Sequence, residues 1–256
     1  MKRKKISVKN IIISISAPIL LIVLWELSSR MGWINQTILP SFSKVVNVTI
    51  SLLKSGLLQE HILISIQRVA QGFLIGGILG IVIGTIMRFS KFFNKFLGSL
   101  VSIFRPVPMI AWIPLLILWL GIGEETKVSL ITVGTFWPVL LNTIHGIQSV
   151  DPKLLEVAKI LKKGKLTVMF KVVFPSALPA IFTGIRLGMG SAWSCVVAAE
   201  MIAASKGIGF MITYAREVSK PADVMVGVFV IGIIGLLIDT IIQKIQKVVL
   251  KWNYTD

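Results

Sequence analysis

Charged side chains are scarce in this chain, and four of them stand inside stretches that are otherwise apolar: Arg68, Arg105, Arg186 and Glu200. An ionised side chain at the centre of a bilayer costs at least ~2.5 kcal/mol, so each must face protein or a water-filled cavity rather than lipid. Two chemistries meet that demand. The cations could ease the passage of an anion along a translocation path, or each charge could be half of a buried pair with another helix. In the second case Arg186 and Glu200, about four helical turns apart, would find separate partners. Asn142 and the tryptophans Trp112, Trp119, Trp137 and Trp193 lie in the same stretches and are further candidates for a path. Tryptophan in such segments more often packs or marks an interface.

Catalytic constellations are missing. There is no G-x-x-x-x-G-K-[ST] phosphate loop, no H-E-x-x-H and no G-x-S-x-G. His61 and His145 are expected near opposite membrane faces and cannot share a metal. The single cysteine, Cys195, sits in an apolar run without His or Asp neighbours, which predicts a packed small residue. The chain is therefore read as a non-enzyme with no cofactor and no metal site.

The elements that must hold these residues follow from composition. The 256 residues are 55% hydrophobic and 15% charged, with a mean hydropathy of +0.86. A soluble domain is normally about a quarter charged, so the balance predicts a membrane protein. The formal charge of +16 does not make it a nucleic-acid binder, because long apolar runs separate the lysine clusters and leave no continuous basic face. Six apolar spans are predicted: Ile11 to Leu27, Leu63 to Met87, Phe96 to Leu120, Val128 to Ile147, Ile181 to Ala204 and Val224 to Ile242. Each approaches the ~20 residues that a bilayer core requires. Placing the basic segments on one side puts both termini in the cytoplasm. Phe42 to Leu58 reads as an amphipathic helix at the outer surface, with Trp25 and Trp33 at the interface. Gly72, Gly76, Gly80 and Gly84 form a four-residue ladder that lets a neighbouring helix come close. Pro106, Pro108 and Pro114 interrupt the third span, which must then be buried or line a cavity.

Between the fourth and fifth spans lies Val150 to Pro179, with six lysines against Asp151 and Glu156. Asp151 is a good N-cap and Pro152 suits the first helical position. Leu154, Val157, Ala158 and Leu161 then share one face. Gly164 offers a turn, Leu166, Met169, Phe170 and Val173 repeat the spacing, and Pro175 and Pro179 close the unit. The prediction is two short helices folded back on each other, apolar on one side and basic on the other. On composition alone, such a loop sets orientation and binds anionic lipid.

This segment resembles the cytoplasmic loop of the membrane permeases of bacterial ABC importers, which carries E-A-A, then Gly, then apolar-x-Pro. Glu156-Val157-Ala158 matches the first part, and Phe174-Pro175 followed by Leu178-Pro179 the last; the family's glycine falls at Lys162. Phe104 to Lys127, Arg68-Val69 to Gly72-Phe73 and Ile181 to Ile208 are similar to the nitrate, sulfonate and taurine branch. The resemblance implies an all-α, six-helix permease of the type I (MetI-like) fold in the bacterial inner membrane. The implied divisions are an N-terminal helix and linker over 1–61, a core over 62–243 and a cytoplasmic tail over 244–256. It further implies a homodimer, a pair of cytoplasmic ABC ATPases that bind the ATP, and an extracytoplasmic solute-binding protein. Asp151, Glu156, Ala158, Gly164, Phe174 and Pro175 would serve ATPase coupling; Arg68, Arg105, Trp112, Asn142, Arg186, Trp193 and Glu200 would serve the path. The substrate would be a small anion such as a sulfonate, taurine or nitrate. The alternatives are a vitamin precursor, or a secondary transporter working without an ATPase, for which Glu200 is the one deep carboxylate.

Overall fold

The computed structural model describes residues 8–251, with side chains from Ser16 onward. The lysines and arginine at positions 2–5, which orient the N-terminus in the sequence reading, lie outside the described residues. Among the described residues every regular element is helical.

Three helices form the centre. α3 (Leu57–Phe89) runs parallel to α6 (Glu124–Gln148), and α9 (Phe174–Ala203) runs antiparallel to both. The glycine ladder explains how they meet. Gly72, Gly76, Gly80 and Gly84 are all buried, and each faces α6, in order at Ile131, Thr132 and Thr135, Val139, and Leu140 and Thr143. A β-carbon at Gly80 would stand 2.9 Å from Val139 Cβ, so the helix axes approach as closely as backbone permits. Gly134 and Gly146 of α6 and Gly184 and Gly188 of α9 do the same on the second seam. Gly134 makes room for Cys195, which is buried as the apolar setting predicts.

The remaining elements wrap this trio. α1 (Val8–Arg30) ends against the loop before α2 (Phe42–Lys54): Trp25 Nε1 donates to the Pro40 carbonyl at 2.9 Å, and Glu26 accepts from the Ser43 amide at 3.1 Å. Trp25 also stacks on Phe229 of α11 (Pro221–Val249), at 5.6 Å between centroids. α10 (Ile208–Glu217) packs between α9 and α11.

Four helices are long and apolar enough to cross a membrane among the described residues: α3, α6, the continuous 165–203 helix and α11. The third expected span is not a straight crossing. Its helices α4 (Lys91–Phe104) and α5 (Trp112–Leu120) are bent by 89° at a break over 105–108, followed by a 3-10 turn. Pro106 and Pro108 account for the break, whereas Pro114, in the first turn of α5, needs no donor there. Counting the bent pair as one gives five spans among the described residues, and the expectation of six then rests on α1, whose side chains are described from Ser16 onward. Of the two expectations for this segment, burial or lining a cavity, burial within the chain is met by Ile113 and Leu116 of α5 but by no residue of α4. The proposed division at 61/62 falls inside α3, and α11 continues through Val249 into the expected tail.

Candidate coupling hairpin and the polar cluster at the opposite end

The hairpin begins as its residues dictate. Asp151 Oδ1 accepts from the Lys153 amide at 2.9 Å, and Pro152 opens α7 (Pro152–Ile160). α7 ends in a Schellman motif: the Lys163 amide donates to the Ala158 carbonyl at 3.1 Å and the Lys162 amide to Lys159 at 3.0 Å. The reversal therefore falls at Lys162, which has φ +47°, and not at Gly164, whose φ of −63° any residue adopts. The family's glycine position is the left-handed position, here filled by a lysine.

The second arm differs from a closed pair of short helices. α8 (Lys165–Val168) passes through a five-residue π-helical stretch, 169–173, directly into α9. The Phe174 amide donates to Met169, five residues back, just before Pro175, whose ring would otherwise collide with the carbonyl four residues earlier. Pro175 and Pro179 thus lie within a continuous 39-residue helix, 165–203, and do not end it.

The root of the hairpin is packed and its tip is not. Ile147, Val150, Val173, Ala177 and Ile181 form one buried cluster at the root. Beyond it Ala158 is buried, but Ile160 and Leu161 are 79% and 60% exposed, and Glu156 is exposed with no partner among the described residues. Phe170 stacks on Phe174 at 5.8 Å, bracing the π stretch.

At the other end of the trio the charges close on each other. Glu200 accepts from Arg68 Nη1 at 2.8 Å, from Ser65 Oγ at 2.8 Å and from the Gly209 amide at 2.9 Å. Arg68 also forks onto Glu124, at 2.7 and 2.6 Å, and donates to the Lys206 carbonyl at 2.7 Å. Lys127 Nζ reaches Glu124 at 2.8 Å, which balances two cations with two carboxylates. The Ser65 hydroxyl accepts from the Ile208 amide at 2.9 Å, so α10 is tied to α3 through its first residue. Gly207, at φ +118°, lies so close over the Glu200 carboxyl that no side chain fits. Ser65, Glu124 and Gly207 are not picked out by local spacing, because they reach partners 56 to 146 residues away, and Lys127 joins them only through Glu124, three positions before it.

The other expected path residues are dispersed. Arg186 makes a bidentate pair with Asp239 of α11, at 2.6 and 3.0 Å. Asn142 donates to Pro138 of its own helix at 2.8 Å, and Trp193 Nε1 donates to Ile231 of α11 at 3.1 Å. Some candidates keep unused donors: Arg105 is exposed without a partner among the described residues, and the buried Trp112 Nε1 and Trp137 Nε1 find none either. Arg105 and Trp112 flank the break between α4 and α5, where Phe104 meets Trp112 at 5.8 Å.

Comparison with known proteins agrees in fold and in sequence. The family described as binding-protein-dependent transport system inner membrane component matches residues 76–252. A protein named as an aliphatic sulfonates transport permease of Bacillus subtilis is 40% identical over 92% of this chain and 86% of its own. The taurine transport system permease protein of Escherichia coli is 31% identical over 96% and 91%. Among solved structures, a chain of the MetNI methionine ABC transporter superposes with a TM-score of 0.68 at 16% identity, covering 77% of this chain and 97% of that one.

Proposed function

The chain belongs to the family of binding-protein-dependent transport system inner membrane components, and we propose that its 150–179 hairpin couples it, as the permease of an importer, to a cytoplasmic ATPase. The observation that carries this reading is the contrast between a packed hairpin root and an exposed apolar tip. α7 presents Leu154, Val157, Ile160 and Leu161 to the outside, and its second arm is the start of the 165–203 helix. A push on α7 is therefore delivered to a helix packed along the length of α6. Two copies of the chain pair, each hairpin seats on one subunit of an ATPase dimer, and the ATP is bound there; this chain needs no cofactor. A solute-binding protein docks at the opposite end, and both termini lie on the hairpin side, facing the cytoplasm.

The substrate is a small sulfonate anion, since both relatives are named for sulfonates, taurine being an aminosulfonate. Arg105 and Trp112, with donors unspent beside the α4–α5 break, are the residues placed to meet it. Arg68, Glu200 and Arg186 have protein partners and brace the helices. Engagement of Glu200 by three donors also speaks against an ion-coupled secondary transporter, which would need that carboxylate free.

Co-purification tests the coupling. Ile160→Glu and Glu156→Arg should each lose the ATPase while the permease still inserts, and substrate uptake sustained without any ATPase would sink the reading. Arg105→Ala should lower uptake with ATPase assembly intact; unchanged uptake removes Arg105 from the path.

A further inference from the structure

The hairpin has a recess on the side turned toward the ends of α3 and α6. It is a cleft of about 400 Å3 with a mostly apolar wall that includes Phe89, the last residue of α3, and Leu166 of α8. Four cations stand around it: Arg88, Lys159, Lys163 and Lys165. No carboxylate lines it, and none of the four takes part in an ion pair among the described residues. Four unneutralised cations around an apolar recess suit an amphipathic anion.

The depth of the cleft identifies the anion. α3 is long and apolar enough to cross a membrane, and Arg88 follows directly on the apolar run that ends at Met87. That position puts Arg88 at headgroup level. Phe89 and Leu166 are 55% and 70% exposed, so the apolar part of the wall continues toward the bilayer. We propose that this cleft binds one anionic phospholipid, its phosphate held by Arg88, Lys159, Lys163 and Lys165 and an acyl chain laid over Phe89 and Leu166. The lipid bridges the end of α3 to both arms of the hairpin, and anionic lipid content thereby sets how firmly the hairpin is held. This rests on the reading of 150–179 as the coupling element, but the site itself needs only the membrane boundary.

The test uses photoactivatable phosphatidylglycerol and phosphatidylcholine in bilayer discs that hold either the permease alone or the importer assembled with its ATPase. Phosphatidylglycerol is expected to crosslink around positions 88–89 and 159–169 several-fold above phosphatidylcholine. A juxtamembrane cation near an anionic leaflet is worth about fivefold in binding, so R88Q/K159Q/K163Q/K165Q should abolish the preference. K159R/K163R/K165R should keep it and serves as the folding control. Equal labelling by the two lipids, labelling unchanged by the quadruple variant, or displacement by the ATPase would overturn the lipid site; displacement would make the cleft a protein contact. Competition by free glycerol phosphate as strong as by the lipid overturns it too, in favour of a soluble anion. ATPase retention is measured on the same samples: its absence with phosphatidylglycerol labelling intact defeats the coupling reading and leaves the cleft standing.

Discussion

Lys162 carries a backbone strain that its neighbours do not. A left-handed residue with a β-carbon costs roughly 1–2 kcal/mol relative to glycine, and the Schellman bonds hold it there. Lys162→Gly is therefore expected to stabilise the hairpin by about 1 kcal/mol, read as slower amide exchange over 152–163. Gly164→Ala, at φ −63° with open space around it, should leave the same amides unchanged. The Arg68–Glu200 pair makes the opposite demand. Its side chains are 5% and 0% exposed, and removing one partner of such a pair typically costs about 3–5 kcal/mol. Arg68→Ala should lower the melting temperature of the purified protein sharply. Arg186→Ala should lower it less, because Asp239 is 39% exposed and keeps Gln243 as a donor. An equal loss in the two variants would show that the buried cluster is no more than another surface contact.

Between elements, the seam from α3 to α6 is set by backbone approach. A β-carbon at Gly76 would collide with the Thr132 carbonyl, whereas one at Gly77 meets nothing. Gly76→Ala should destabilise by about 1–3 kcal/mol through overpacking. Gly77→Ala should be neutral or stabilise by about 0.4–1 kcal/mol, since it only restricts the unfolded chain. Thermal unfolding in detergent separates the two, and matching melting temperatures would contradict the seam. α9 and its approach through 165–173 form one continuous helix, in which the π stretch lets the chain run past Pro175 unbroken. Among the described residues, α4 differs from the other helices longer than one turn, with Phe92, Phe96 and Ile103 at least 60% exposed and no buried residue in its own chain.

At the scale of the whole molecule, parallel α3 and α6 and antiparallel α9 put the hairpin at one end and the Arg68 cluster at the other. That polarity predicts accessibility. In a Cys195→Ser background, Ile160→Cys should react with impermeant thiol reagents only from the cytoplasmic side, and Ile122→Cys only from the outside. Both positions are nearly four-fifths exposed, at 79% and 78%. Labelling of both from the same side would break the assignment of ends.

The all-helical membrane class, the glycine seam and the start of α7 were legible in sequence because each depends on neighbours within a few positions. Apolar run length, four-residue small-residue spacing and an Asp-Pro cap are local signals, and Gly72 to Gly84, Asp151 and Pro152 behave as read. The family pattern at Glu156 to Pro179 was legible for the same reason. Tertiary structure decided what local spacing cannot encode. It chose Lys162 over Gly164 for the reversal, because the turn is fixed by where α7 runs out of carbonyl partners and not by which nearby residue is most permissive. It carried the helix through Pro175 by widening one turn, and bent α4 from α5 where prolines alone could mark only an interruption. It also settled which charges are spent and which are free, since Arg68, Glu124 and Glu200 come from three helices far apart in the chain. The sequence named the charged residues, but only packing decided that Arg68 and Arg186 hold helices together and that Arg105 is left unpaired among the described residues.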